Sequence, residues 1–296
     1  MITAQTVMPM RRAGISGWFD VNTPLVNTDW LLQNFDDPEL VVLDASPETN
    51  MANMTIEHPG KRIPDARAFN LKAAFSDKDS PLPNMLPSPE YFTQACQALG
   101  LNSTSKFVIY DNLNIYSAPR AWWMFKTMGH AQVAVLDGGL NEWVASGGPT
   151  EPMAKQSFAP GDFVAKYDGG KIKTAAQVLE NIQSKNFTVV DARSSGRFNA
   201  VVPEPRPTSR SGRIPGSSNL PFADLSKDGK FLPNDELKAR FDKLNLGDGP
   251  LVFSCGSGMT ACVNLLGATL VLDNELGLYD GSWSEWGAAD AEWPVV

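Results

Sequence analysis

A cysteine at position 255 opens the segment of the chain whose residue types are best suited to chemistry. The segment Cys255-Gly-Ser-Gly-Met-Thr260 follows a short apolar run at 251–253. Its glycines let the backbone curl so that successive N–H groups point into one concavity, which suits an anion. The apolar residues 259–270 predict a helix whose N-terminus adds positive partial charge. A thiol held there would ionise readily and act as a nucleophile; the alternative is a buried structural cysteine beside a tight turn.

Four arginines are concentrated between positions 197 and 213 of an otherwise acidic chain, namely Arg197, Arg206, Arg210 and Arg213. The 25 Lys and Arg residues face 33 Asp and Glu residues, and the formal net charge is −8. An acidic surface repels phosphate backbones, so a nucleic-acid partner is not expected. The arginine cluster predicts a local anion site, because a guanidinium can bind a carboxylate through two hydrogen bonds. The alternative is a solvated basic loop.

Short motifs recur in the same order in the two halves of the 296-residue chain. Val-Leu-Asp-Ala-Ser at 42–46 matches Val-Val-Asp-Ala-Arg at 189–193, and Leu-Asp-Gly-Gly-Leu-Asn-Glu-Trp at 136–143 matches Tyr-Asp-Gly-Ser-Trp-Ser-Glu-Trp at 279–286. Order and near-constant spacing indicate a tandem duplication. Asp111 stands in the first copy where Cys255 stands in the second. A carboxylate is no soft nucleophile, so we expect the first copy to be catalytically silent.

Short apolar runs that alternate with helical patterns predict the fold class α/β, with a parallel sheet and helices on both faces in each copy. The predicted buried strands are 41–44, 107–110, 133–136, 188–190 and 251–253. Ser88 followed by Pro89 predicts a helix start, and Thr174 with Gln177 predicts a capping box. A Gly/Pro cluster after Gly147 marks a linker. The expected division is an extension at 1–22, domain 1 at 23–148, a linker at 149–170 and domain 2 at 171–296.

The first 20 residues carry Arg11 and Arg12 and no acidic residue before Asp20. We interpret them as an ordinary extension, with a transit peptide as the alternative. No run of 18 apolar residues exists, so no membrane span is expected. Three cysteines without close pairs make a disulfide framework improbable and fit a reducing compartment. The expected location is therefore cytoplasmic, with mitochondrial as the alternative.

The chain resembles the rhodanese superfamily and, within it, the two-domain sulfurtransferases that use 3-mercaptopyruvate. Four motifs carry this resemblance, namely Cys255-Gly-Ser-Gly-Met-Thr260, Arg197-Phe198 with Pro203-Glu-Pro-Arg206, Arg213-Ile-Pro-Gly216, and Asp280-Gly-Ser-Trp-Ser-Glu-Trp286. In this family the second domain carries the catalytic cysteine and the first is inactive. Members that use thiosulfate typically have basic residues directly after the cysteine, whereas Gly256-Ser257 is similar to the users of mercaptopyruvate.

The resemblance implies that Cys255 takes the sulfur of 3-mercaptopyruvate as a persulfide and releases pyruvate. A thiol acceptor such as thioredoxin or glutathione, or cyanide, would then remove that sulfur. No cofactor or metal is implied. Ser257 matches a family serine associated with proton transfer, although by itself it could cap the helix. The implied substrate-binding residues are Arg197, Arg206, Gly256, Ser257, Gly258, Met259 and Thr260.

One departure from the family concerns a histidine that some members carry before the Ile-Pro of the first domain, as part of a proton relay. Arg62 stands at the place assigned to it, and His58 lies four residues earlier. The relay is therefore in doubt, although the cysteine chemistry is not.

Several other functions could use a loop cysteine, and the sequence disfavours most of them. A Cys–His hydrolase is disfavoured because His58 and His130 both lie in the first copy, and His130 is expected to be structural. A cysteine phosphatase would need an arginine where Ala261 stands. Cys255 and Cys262 have no second pair that would complete a zinc site. A thiosulfate:cyanide sulfurtransferase and a non-catalytic rhodanese-type protein-binding module remain open.

Overall fold

Two five-stranded parallel sheets, one in each half of the chain, organise the protein in the computed structural model. The structure describes residues 23–48, 54–207 and 209–296. The extension expected at 1–22 lies outside the described residues. No helix in the described ranges is long and apolar enough to cross a membrane.

The strands of the first half are β1 to β7, of which five form the sheet in the order β1-β6-β5-β2-β4. Their bounds are β1 Leu25–Val26, β2 Leu40–Asp44, β3 Lys61–Arg62, β4 Arg67–Ala68, β5 Lys106–Tyr110, β6 Val133–Leu136 and β7 Glu151–Pro152. The helices are α1 Thr28–Asn34, α2 Leu71–Ala74, α3 Pro89–Ala98, α4 Ala118–Thr127 and α5 Gly139–Ala145.

The second half repeats this topology, with its sheet in the order β10-β9-β13-β14-β8. The strands are β8 Ile172–Lys173, β9 Thr188–Asp191, β10 Ser218–Asn219, β11 Ser226–Lys227, β12 Lys230–Phe231, β13 Leu251–Ser254 and β14 Leu276–Tyr279. The helices are α6 Ala175–Ser184, α7 Ser195–Phe198, α8 Asn234–Asp242, α9 Ala261–Val271 and α10 Ser282–Trp286, with short 3₁₀ turns at Gly169–Lys171 and Phe222–Leu225. Equivalent strands occupy equivalent sheet positions, as the repeated motifs predict.

The local sequence signals act where they were expected. The Ser88 side chain accepts a hydrogen bond from the Tyr91 N–H at the start of α3, and Thr174 and Gln177 form the capping box of α6. The helix predicted from residue 259 begins at Ala261 instead, because Gly258 has a φ of +74° and the backbone is still turning there. The helix therefore starts with Thr260 at its N-cap, and Ser257 does not cap it.

Helices α4 and α9 follow the Asp111 and Cys255 loops and pack against each other between the two halves. Nine of the ten residues of α4 are buried, and so are the first eight residues of α9. A helix that is apolar all round is stable only when its whole circumference is covered. One hydrophobic cluster consequently runs without a break from the first sheet into the second. The Asp111 loop and the Cys255 loop therefore both lie at the boundary between the two halves.

The segment proposed as a linker, 149–170, lies along the first domain. Strand β7 pairs with β3 in antiparallel register, and Arg62 binds Glu151 through this pairing. Further on, the Phe163 N–H donates to the carbonyl of Leu101, and the Phe163 ring is buried in the core. The segment therefore adds to the first domain's packing before the chain enters the second.

His130, expected to be structural, is 7% exposed and lies among aromatic rings. Its ring centroid is 4.5 Å from that of Phe107 and 5.6 Å from that of Phe163. Burial is the main reason that the pKa of His130 is lowered to about 4. The structural interpretation is confirmed by this packing.

The buried His130 predicts a specific loss of stability in acid. Its folded-state pKa is below the unfolded value, so it contributes stability above about pH 6.5 that is lost as pH falls through about 4. Urea unfolding at pH 7 and pH 4 should show a larger loss for the unmodified chain than for His130→Phe, by up to about 3 kcal/mol. Equal losses in both proteins would contradict this assignment.

Candidate active site

The Cys255 loop lies at the C-terminal end of β13, the central strand of the second sheet, where parallel α/β sheets place ligands. Its carbonyls are held from one side, because Cys255 O accepts from the Trp283 N–H and Gly256 O accepts from the Ser284 N–H. The Ser284 hydroxyl donates to the same Gly256 carbonyl at 2.6 Å. Fixing these carbonyls sets the orientation of the peptide groups that follow them.

Ser282 fastens the loop at a second point and is itself fully buried. Its Oγ accepts hydrogen bonds from the N–H groups of Cys255 and Gly258, both at 3.2 Å, and donates to Tyr279 O. A φ of +51° at Ser282 is unfavourable for a serine and is maintained by these bonds. The motif 280–286, which the sequence marked as part of the repeat and of the family resemblance, therefore also holds the loop in place.

Within the described residues, the N–H groups of Gly256, Ser257, Met259 and Thr260 donate to no protein acceptor. The Gly258 N–H is taken by Ser282, so it does not belong to this set. Unpaired backbone donors at a buried loop favour an anion in their midst. The predicted nest is thus formed by the loop without Gly258.

The first domain contains the same kind of nest already filled. The carboxylate of Asp111 accepts hydrogen bonds of 2.8–2.9 Å from four backbone N–H groups, those of Leu113, Tyr116, Ser117 and Ala118. Asp111 is completely buried. A loop of this form therefore encloses an anion carried by the side chain at its start. In the first copy the internal carboxylate therefore occupies these four donors.

Two of the four clustered arginines reach the loop. A Cβ placed on Gly256 would lie 3.1 Å from Arg197 Nη2 and 3.8 Å from Arg206 Nη1. Arg210 instead donates to the carbonyls of Trp286 and Trp293. The predicted anion site therefore contains two of the four arginines, Arg197 and Arg206.

The fourth arginine of the cluster, Arg213, also faces away from the loop. Its guanidinium lies over the Phe198 ring, 5.1 Å from the ring centroid, and it donates to the Asn199 side chain. Arg213 thus packs within the segment that carries Arg197, while only Arg197 and Arg206 flank the cysteine.

Glu204 sets the position of Arg197 and has a side chain only 3% exposed. Its Oε1 accepts from Arg193 Nη1 at 2.8 Å, and both its oxygens bind the guanidinium of Arg197. Arg193 also pairs with Asp191. Two arginines are thus balanced by two carboxylates, and Arg206 has no ion pair in the part of the chain described. Glu204 was not predicted as a site residue, although it lies within the motif Pro203-Glu-Pro-Arg206.

The first domain also reaches the loop. Asn84 Nδ2 donates to Ser257 Oγ at 3.0 Å and to Ser257 O at 3.2 Å. Arg120 donates to Gly258 O and forms a buried ion pair with Asp280. The residue of the first domain that contacts Ser257 is therefore Asn84, whereas Arg62, the position assigned to a relay, is held by Glu151.

The other two cysteines are structural. Cys96 and Cys262 are fully buried. Burial raises the pKa of Cys96, and it raises the pKa of Cys262 to about 12 despite the nearby Arg120. Both thiols therefore remain protonated at neutral pH. Among the described residues no group of three or more His, Cys, Asp or Glu side chains could hold a metal ion.

Fold and site together define a duplicated α/β protein in which one copy presents a thiol within an anion-binding loop. The family model described as Rhodanese-like domain matches residues 27–146 and again residues 174–289. The chain belongs to the rhodanese family, which confirms the resemblance and the fold class predicted from sequence.

Relatives and a solved structure extend this match over most of the chain. The 3-mercaptopyruvate sulfurtransferase of Escherichia coli (strain K12) is 42% identical over 278 residues, covering 92% of this chain and 98% of that protein. Thiosulfate/3-mercaptopyruvate sulfurtransferase 1, mitochondrial, of Arabidopsis thaliana is 38% identical and covers 92% of this chain and 78% of its own. The crystal structure of SseA from Escherichia coli has a TM-score of 0.77 at 39% identity, covering 89% of this chain and 100% of that one.

The contrast among the three cysteines predicts selective alkylation. Iodoacetamide at pH 8 should modify Cys255 while Cys96 and Cys262 stay unmodified until the protein is unfolded, because burial keeps those two thiols protonated and only thiolates react. Peptide mass spectrometry would identify the modified residue, and Cys255→Ser should take up no label in the folded state. Labelling of Cys262 as fast as Cys255 would contradict the raised pKa of Cys262.

Proposed function

We propose that this chain is a 3-mercaptopyruvate sulfurtransferase, which moves the sulfur of 3-mercaptopyruvate through a Cys255 persulfide to an acceptor and releases pyruvate. The observation that carries the proposal is the difference between the two nests. The Asp111 loop is saturated by its own carboxylate, whereas the Cys255 loop retains unpaired N–H donors with Arg197 and Arg206 beside it. The name of the Escherichia coli relative agrees with this activity.

In the first half-reaction the Cys255 thiolate attacks the sulfur of 3-mercaptopyruvate, whose carboxylate and keto oxygen are held by Arg197 and Arg206. An S–S bond forms to Cys255 and the C–S bond breaks. Its electron pair leaves with the carbon fragment as the enolate of pyruvate, which gains a proton at carbon. The persulfide is stabilised by the unpaired N–H groups of Gly256, Ser257, Met259 and Thr260, because backbone donors fixed in position favour developing negative charge.

In the second half-reaction an acceptor thiolate attacks the outer sulfur and restores the Cys255 thiolate. The acceptor leaves as a persulfide, or as thiocyanate when cyanide is used. Covalent transfer in two separate steps implies ping-pong kinetics. We propose a thiol such as thioredoxin or glutathione as the acceptor, since the rhodanese resemblance implies one.

The charge around the loop favours a donor with a single carboxylate over thiosulfate. Glu204 offsets Arg197, so Arg206 remains the unbalanced cation of the described site. A second basic side chain directly after the cysteine would suit a dianion, but a Cβ at Gly256 would meet Arg197 Nη2 at 3.1 Å. Thiosulfate as the main donor is the alternative, and the Arabidopsis relative carries both substrates in its name.

A non-catalytic protein-binding module is less well supported. Such a module has no need for unpaired donors around a cysteine, and a nest without function would be more stable when filled, as it is at Asp111. For location we propose the cytoplasm, since all three cysteines are free. The mitochondrial name of one relative keeps that compartment as the alternative.

The donor comparison is the decisive experiment. The unmodified chain should release pyruvate from 3-mercaptopyruvate with a higher kcat/KM than it shows for thiocyanate formation from thiosulfate and cyanide. Cys255→Ser should abolish both, while Cys96→Ala should leave both unchanged because Cys96 lies on the buried face of α3 and Ala buries no polar group there. Mass spectrometry after exposure to donor alone should show one added sulfur on Cys255. Thiosulfate proving the better donor would refute the substrate assignment, and turnover by Cys255→Ser would refute the mechanism.

Replacing Arg206 should weaken donor binding. Arg206→Gln removes the unbalanced cation, and loss of a charged hydrogen bond of ~1.5–3 kcal/mol predicts a KM for 3-mercaptopyruvate raised more than tenfold. Arg213→Gln is the matched control, since Arg213 belongs to the same segment but packs on Phe198. Steady-state pyruvate release measures both variants. An equal effect in the two would show that the segment acts only through its general positive charge.

A further inference from the structure

A side chain of the inactive first domain lies against the catalytic loop of the second. Asn84 Nδ2 is 3.0 Å from Ser257 Oγ and 3.2 Å from Ser257 O, across 173 positions of the sequence. Because a backbone carbonyl can only accept, the NH₂ end of the amide must be the end that faces Ser257. Both oxygens of Ser257 therefore accept from Asn84.

Asn84 is held in place by more than this contact. Its φ is +62°, a left-handed conformation that asparagine tolerates better than most residues. Its carbonyl accepts from Arg120 Nη2, and the same guanidinium binds Asp280 and Gly258 O through Nη1. The Leu86 N–H donates to the other oxygen of Asp280 at 2.8 Å. The 84–86 segment and the cysteine loop are thus joined by one buried network.

The direction of the hydrogen bond determines what the Ser257 hydroxyl can do. An amide NH₂ occupies a lone pair of Ser257 Oγ and cannot receive its proton. The O–H of Ser257 is therefore free to point away from Asn84, and the residue is only 9% exposed, next to Gly256. A hydroxyl fixed in this way can direct its proton toward the carbon fragment that leaves Cys255.

We propose that Asn84 is a positioning residue that orients the Ser257 hydroxyl toward the reacting substrate, so that the first domain completes the active site of the second. The inference rests on the proposed function, because a proton is needed only when an enolate is formed. Asn84 transfers no proton itself. It fixes the rotamer of a neighbouring group that can donate one.

Two variants test this inference by different changes. Asn84→Asp is isosteric but can only accept when ionised, so the Ser257 hydroxyl should turn toward it. Asn84→Gly deletes the amide and retains a backbone that allows positive φ. Each should lower kcat for pyruvate release about tenfold. Asn84→Gly should do so with little change in KM, because it adds no charge and does not touch Arg197 or Arg206. Asn245→Gly is the matched control, since Asn245 also has a positive φ and contacts no part of the site.

Two further measurements, the choice of sulfur donor and a double variant, distinguish a positioning role of Asn84 from a general structural effect. Sulfite leaves thiosulfate without taking a proton at carbon, so Asn84→Gly should leave thiocyanate formation and the rate of Cys255 alkylation unchanged. The double variant Asn84→Gly with Ser257→Ala should be no slower than Ser257→Ala alone. The inference would be overturned if Asn84→Gly left kcat unchanged or changed only KM. It would also be overturned if the effects of Asn84→Gly and Ser257→Ala multiplied in the double variant, or if Asn84→Gly slowed Cys255 alkylation. Failure of the unmodified chain to release pyruvate would instead refute the proposed function on which it rests.

Discussion

The ion pair between Arg120 and Asp280 joins the two halves at the point where the chemistry takes place. Its side chains are 1% and 4% exposed. A buried pair is tolerated only when its geometry is good and its remaining groups are hydrogen-bonded. Here Arg120 also binds two backbone carbonyls and lies 4.5 Å from the centroid of the Trp123 ring. Removing either charge would leave the other buried alone, so correct docking of the halves and correct shape of the cysteine loop depend on each other.

The two copies share a loop whose N–H groups are either paired with the loop's own side chain or left unpaired, and the residue at the start of the loop decides which. In both, the chain turns at the C-terminal end of the central strand and enters a wholly buried helix. The Asp111 carboxylate reaches back to the donors that follow it and gives a closed, stable turn. The thiol of Cys255 supplies no oxygen to those donors. They stay available for charge that develops during sulfur transfer, as electrostatic preorganisation requires.

The Cys255 loop could be predicted from the sequence, because all the residues that form the nest lie within the six consecutive positions 255–260. The sequence also predicted five of the strands and both helix caps, whose causes are local. It could not find Asn84, since nothing in the spacing of residues 173 positions apart shows that they touch. Four arginines are close together in the sequence, and that proximity predicted a single cluster. In the fold they have different partners, such as Glu204 for Arg197, and these partners cannot be read from the sequence. Strand β14 was missed because Gly277 interrupts a run of four residues.

The continuous hydrophobic cluster shared by α4 and α9 has a consequence for how such a protein can evolve. After a duplication, a redundant copy is usually free to decay or to be deleted. Here the copy that has Asp111 in place of the loop cysteine still covers the apolar circumference of α9 and supplies the partner of Asp280. Deletion of this copy would expose the apolar surface of α9 and leave the second half prone to aggregation. Selection that keeps the second half folded therefore also preserves the first half, and the gene remains double.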